Sequence, residues 1–148
     1  MFGLNHSMQK ITNKSDMKKQ TNIGILLIRV TIAGLMLFHG IAKLKGLGPI
    51  KGMLTAAGLP ELLAYGVYIT EIIAPILIFI GYRTRLASLA FFSGMLMIIF
   101  LKQFDNLFIL SNTGAIKAEL VIMYTLISLA LFFTGGGKFA VSTKNIWD

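Results

Sequence analysis

The sequence predicts an all-α integral membrane protein: a bundle of four membrane-crossing helices with both termini on the cytoplasmic side. Three observations carry that expectation. Four apolar stretches, Ile23–Ala42, Leu62–Ile80, Leu86–Leu101 and Ile116–Phe133, fill most of the chain. Each approaches the roughly 20 apolar residues needed to cross a hydrocarbon core. A single domain of 148 residues has too little interior to hide all four from water. The composition agrees, with 55% hydrophobic and only 14% charged residues, both displaced from the globular average.

The elements follow in order. Residues 1–21 form a polar tail carrying Lys10, Lys14, Lys18 and Lys19. It resembles the basic front of a signal peptide. The apolar run behind it is too long for an h-region and has no small-residue cleavage site, so the tail is expected to be retained and mobile. Residues 22–139 form the membrane domain, and 140–148 a short C-terminal tail. The first helix runs to about Ala42. The connection KLKGLGPIKGMLTAAGLPE is broken by its glycines and Pro49, with a short interfacial helix expected over Ile50–Ala57. Pro60 and Glu61 suit the start of the second helix, because proline is tolerated in a first turn and a carboxylate favours the dipole there. That helix ends at Gly81. The short link GYRTR then makes the second and third helices an antiparallel hairpin. The third helix ends near Lys102, and the partly apolar loop QFDNLFILSNTGA is expected in the interface. The fourth stops at Gly135, Gly136 and Gly137, and Trp147 is a candidate interfacial anchor.

Charge distribution sets the expected orientation. With four spans, one side holds Lys10, Lys14, Lys18, Lys19, Arg83, Arg85, Lys138 and Lys144, while the other holds Lys43, Lys45, Lys51, Lys102 and Lys117. The richer side is expected in the cytoplasm. The formal charge of +8 then reflects anchors for anionic head groups of the lipid bilayer. No basic stripe interleaved with aromatics indicates a nucleic-acid partner.

Charges inside the spans are the main functional signal, because each is costly in hydrocarbon. Arg29 lies about two turns into the first helix, and Glu71 sits mid-way along the second, which runs the other way. Counted from the apparent helix ends, their depths match at about 10 and 13 Å. An Arg29–Glu71 ion pair is therefore expected, either as a structural clamp or as the lining of a polar cavity. Pro75 lacks the amide proton that would bond to the carbonyl of Glu71, so a kink is expected there. Tyr68, three residues before Glu71, adds a hydroxyl on the same face. A second polar cluster lies toward the opposite surface. His39 and Lys43 share a face, and Lys117 and Glu119 open the fourth helix. Glu119 is a candidate partner for Lys43 or His39. Against this stand ordinary lysine snorkelling and a satisfied interfacial histidine.

Several chemistries are unsupported. The chain has no cysteine, which removes disulfide, CxxC and thiolate chemistry. One histidine in the spans does not make a bis-histidine haem site. No spacing fits a metal centre. Ala90 and Gly94 form a small-xxx-small ridge, read as close helix packing.

The segments RVTIAGLMLFHGIAKL and GLPELLAYGVYITEIIAPILIFIGYRTRLASLA, with Glu119 in a closing helix before TGGGKF, resemble the DoxX family of small bacterial membrane proteins. The resemblance spans about Asn22 to Phe139. It rests on the arginine of the first helix, the HG-x-x-K ending, the mid-helix glutamate and the G-x-x-T-R turn. It implies a four-helix bundle in the bacterial cytoplasmic membrane. Some relatives are membrane subunits of thiosulfate:quinone oxidoreductase, and others belong to redox or oxidative-stress complexes. It also marks Arg29, His39, Lys43, Glu71, Arg85 and Glu119 as recurrent polar positions. The resulting expectation is an accessory or quinone-interacting subunit of a membrane redox complex, with Arg29, Tyr68, Glu71 and His39 contacting a non-covalent quinone. Larger membrane subunits would be its partners. The alternative is a non-enzymatic assembly subunit or a bundle that handles a small lipid-soluble molecule.

Overall fold

A computed structural model describes the backbone of residues 2–148 and the side chains of residues 15–148. The described residues form five helices. They are α1 (Phe2–Lys43), α2 (Gly48–Ala56), α3 (Glu61–Ile80), α4 (Thr84–Asn106) and α5 (Glu119–Thr134). Among the described residues the only β pairing is one isolated antiparallel bridge, Leu110 with Ile116. Among the described residues, three helices are long and apolar enough to cross a membrane: α1 over Ser15–Lys43, α3 and α4. The fourth apolar helix, α5, has 16 residues. At 1.5 Å per residue it measures about 24 Å, shorter than a typical hydrocarbon core.

The tail expected before residue 22 lies largely outside the residues whose side chains are described. From Ser15 onward the chain is already helical and continuous with the span. A run of polar residues does not break a helix when it contains no proline or paired glycines. The short helix expected over Ile50–Ala57 forms as α2, starting two residues earlier at Gly48, with proline in its first turn. The third apolar helix overruns its expected end at Lys102 and remains helical to Asn106.

α4 packs along α5 on one side and α3 on the other, while α1 packs along α3 and touches α5. All four contribute to one core. Ile32, Ala33 and Met36 of α1 meet Ala74 and Ile78 of α3, Ala87, Phe91 and Met95 of α4, and Tyr124 and Leu131 of α5. The Phe91 and Tyr124 rings meet edge to face at 6.0 Å, the arrangement favoured by aromatic quadrupoles. Outside this core the helices are apolar again: Leu27, Phe38, Ile69, Ile73, Leu96, Leu126 and Phe133 all face outward. A water-soluble domain rarely exposes such continuous apolar surface, whereas lipid rewards it. A second small core of Leu47, Leu54 and Ala64 seats α2 on the start of α3.

The α3–α4 hairpin closes as its short link requires. Gly81 adopts a left-handed conformation (φ 76°) after Ile80, and the amides of Gly81 and Tyr82 both return to the Leu77 carbonyl. That is the αL helix stop for which glycine has no steric cost. Beyond α5, the chain folds back over this hairpin. The Val141 amide donates to the Ile80 carbonyl, Ser142 to Gly81, and the Arg85 amide to the Trp147 carbonyl. The short tail expected over 140–148 is thus a strap pinned to two helix ends.

Candidate functional site

The α3 helix changes winding where Pro75 disturbs it. Ile69–Ile73 form a π-helical turn directly ahead of Ala74–Ile80. The missing proline amide removes a regular i→i+4 partner, and a widened turn is one way to absorb the loss. Glu71 sits at the middle of this turn with 1% of its side chain exposed. Two glycines let neighbouring helices press against it. A Cβ on Gly40 of α1 would collide with the Glu71 carbonyl oxygen and lie 2.7 Å from Ile72 Cγ1. A Cβ on Gly94 of α4 would lie 2.5 Å from Thr70 Cβ. The small-residue ridge expected at Ala90 and Gly94 therefore has its close contact at Gly94.

Glu71 pairs with Lys43, whose Nζ donates a short hydrogen bond to Oε1. Lys43 retains 31% exposure, so the pair spans from the protein interior to its edge. The second carboxylate oxygen, Oε2, has no hydrogen-bond partner among the described residues. The expected Arg29–Glu71 pair does not form. Along the antiparallel α1–α3 pair, Arg29 lies opposite Phe79 and Gly40 opposite Glu71. Glu71 is therefore two turns away from Arg29's level, about 12 Å along the axis. Depths counted from Asn22 misjudged this because α1 extends past the end of α3.

Arg29 instead gathers helix C-termini. It is 1% exposed, and donates to the Gly136 carbonyl at 2.5 Å and the Phe79 carbonyl at 3.1 Å. These carbonyls lie just past α5 and in the last turn of α3. A guanidinium satisfies two such acceptors at once and complements the negative ends of both helix dipoles. Thr84 and Ser88 of α4, both fully buried, have hydroxyl oxygens with no hydrogen-bond partner among the described residues. Arg29 is a structural clamp here, remote from Glu71.

The Lys43–Glu71 pair opens on a cavity of about 930 Å³. Its walls come from the ends of α1 and α4, the starts of α3 and α5, and α2. Met36, Met53, Met95 and Met97, half of the chain's eight methionines, form part of the lining. Such unbranched, polarizable side chains adapt to different apolar shapes. His39, Lys102 and Lys117 add polar groups, and the second π-helical turn, Ile99–Gln103, contributes Leu101, Lys102 and Gln103. Of the expected cofactor-contacting residues, His39 and Glu71 reach the cavity, whereas Arg29 and Tyr68 do not. Tyr68 packs instead against the small Leu47–Leu54–Ala64 core and the Tyr65 ring. Glu119 is exposed at the first residue of α5 and takes neither Lys43 nor His39 in an ion pair. Arg85 lies at the opposite end, lining a polar hollow of about 440 Å³ with Asn22, Gly136 and Asp148. Gly40, Lys102 and the methionine walls were missed as site residues. Only the HG pair hinted at Gly40, and the lysines read as plain anchors.

At that opposite end the Asp148 carboxyl has its own surroundings. Desolvation pushes its pKa up. Hydrogen bonds from Ser142, Asn145 and Lys144 together with the Arg83 charge outweigh this and hold it below the ordinary carboxylate value.

All-helical described residues, with three helices long and apolar enough to cross a membrane and a carboxylate buried among them, define a membrane-protein class. The family model of DoxX matches residues 24–103, and the chain belongs to the DoxX family. It is also similar to a protein of Bacillus subtilis (strain 168) named "Putative oxidoreductase CatD", with 37% identity over 76 residues. That match covers 51% of this chain and 56% of the relative, little more than half of its length. No solved structure matches the chain. The DoxX match ends before Lys117 and α5, so it covers Arg29, Gly40, Lys43, Glu71 and Gly94 but only part of the cavity wall.

Proposed function

We propose that this protein is a four-helix DoxX subunit of a membrane redox complex, in which the cavity beside Lys43 and Glu71 receives a quinone. Both termini would face the cytoplasm, and α5 would complete the bundle as a short fourth span. The observation that carries this reading is the apolar cavity of about 930 Å³ with a fixed donor at its edge. This size and lining suit a ring with an apolar substituent. Lys43, oriented by Glu71, would donate to a ring carbonyl, and His39 is a second polar contact. A quinone in this place would supply reversible uptake of two electrons and two protons, with the electrons coming from a partner subunit. The oxidoreductase wording of the Bacillus relative's name supports the redox setting.

Extraction of the protein, purified from its own membranes in mild detergent, tests the reading. The expected result is co-purifying quinone that falls in Lys43→Met and Glu71→Gln. Equal quinone in both variants, or none in the parent, would overturn it.

A second reading is an assembly subunit with the ion pair as a staple. The Arg29 clamp and the pinned C-terminal strap favour it, because their polar groups meet backbone groups at helix ends rather than the cavity. Under that reading Glu71→Gln lowers complex yield while turnover per assembled complex is unchanged.

A further inference from the structure

The charge lining the cavity is lopsided. Lys43, Lys102 and Lys117 all line it, and among the described residues Glu71 is the only carboxylate that does. Glu71 is already neutralised by Lys43. The remaining acids of this end are directed elsewhere. Glu61 faces Lys51 at 4.0 Å outside the cavity, and Asp105 and Glu119 are exposed and do not line it. Two lysines are thus left without an acidic partner at the rim of a chamber whose walls are mainly apolar.

We propose that the cavity selects amphiphiles whose head is an ionised oxygen acid, the apolar body lying among the methionines and the anion meeting Lys102 and Lys117 beside Lys43. This rests on the cavity assigned above to a quinone and, for a quinone, narrows the ligand to a ring that carries an ionised hydroxyl. An acid head on an apolar body satisfies both halves of the site. A neutral head leaves the two lysines to water, and a cationic head is repelled. The acid could arrive on a lipid or on a ring that carries an ionised hydroxyl, because the shared feature is the anionic oxygen.

Calorimetric titration of the protein in zwitterionic nanodiscs, with empty nanodiscs as reference, provides the test. The probes share one ten-carbon body: decanesulfonate, decanol and decyltrimethylammonium. A fourth titration uses a short-chain quinone, and a fifth an alkylated phenol at a pH above its pKa. Decanesulfonate is expected to bind about tenfold or more tightly than decanol, since each basic residue near a membrane surface contributes on the order of a few-fold attraction. The cation is expected not to bind. High salt should shrink the advantage, because both lysines are exposed. The Lys102→Gln/Lys117→Gln variant, altered only at exposed positions, should lose the sulfonate preference while keeping decanol affinity. Tighter binding by the ionised phenol than by decanesulfonate would assign the head to a ring, and the reverse to a lipid-like acid.

Equal affinity for sulfonate and alcohol, or a sulfonate preference untouched in the double variant, would overturn the proposal. If the quinone still binds in that case, the function proposed above survives without it. If the quinone fails to bind while the sulfonate does, the reverse holds.

Discussion

Replacing Lys43 with methionine keeps the length and apolar stem of the side chain and removes its charge. Glu71, 1% exposed, would then be a buried carboxylate without its partner. Removing one member of a buried ion pair costs about 3–5 kcal/mol, and the lenient insertion scale gives about 2.5–3.5 kcal/mol for such a charge at depth. Lys43 is roughly a third exposed, so solvent screens part of the interaction. The expected loss is therefore near the lower end, about 3 kcal/mol. For a domain of this size that corresponds to a drop of roughly 6–12 °C in Tm. Thermal unfolding in mild detergent, followed by circular dichroism, measures it. The Lys43→Met/Glu71→Met double variant removes both charges and should recover much of the loss, giving an interaction energy of roughly 1–3 kcal/mol. Arg29→Met combined with Glu71→Met should be additive, because these side chains do not meet. Coupling between positions 29 and 71 with none between 43 and 71 would refute the register described here.

Other outcomes follow from the same geometry. Gly40→Ala drives a methyl into the Glu71 carbonyl and should cost about 1–3 kcal/mol or more, whereas Gly24→Ala and Gly34→Ala meet nothing and should be neutral or stabilising by up to about 1 kcal/mol; denaturation midpoints distinguish them. Arg29→Lys can serve only one of the two helix-end carbonyls well, so the segment after Gly136 should become more sensitive to limited proteolysis, and Arg29→Met more so. The lowered Asp148 pKa means its contribution to holding the strap is present above the unfolded carboxylate value and lost as pH falls through the folded one. Protease sensitivity of the strap should therefore stay flat through mild acid and rise only below about pH 4, the ordinary carboxylate range, and Asp148→Asn should show that sensitivity already at neutral pH.

Much of this architecture is written in local pattern. Long apolar runs, the glycine stop at Gly81, the short hairpin link and the proline-disturbed turn at Glu71 each follow from a few neighbouring residues. The polar residues that matter were visible for the same reason, since charges in apolar runs stand out. Their pairing was not legible. Which of Arg29 and Lys43 reaches Glu71 depends on how far α1 slides along α3, and that register is set by Gly40 pressing on the Glu71 backbone. A glycine within a helix announces a close approach without naming what approaches. The C-terminal strap was read only as a short tail because its anchors, the carbonyls of Ile80 and Gly81 among them, carry no side-chain signature. The cavity was invisible in sequence because its wall is assembled from five separate segments.

An experimental density map of the protein in its native lipids would test most directly whether the chamber beside Lys43 is a ligand site. The account predicts an elongated apolar molecule among Met36, Met53 and Met95, its oxygen-bearing end within hydrogen-bonding reach of the Lys43 ammonium. A chamber closed by collapsed side chains, with that ammonium turned to bulk water and away from the carboxylate, would contradict it.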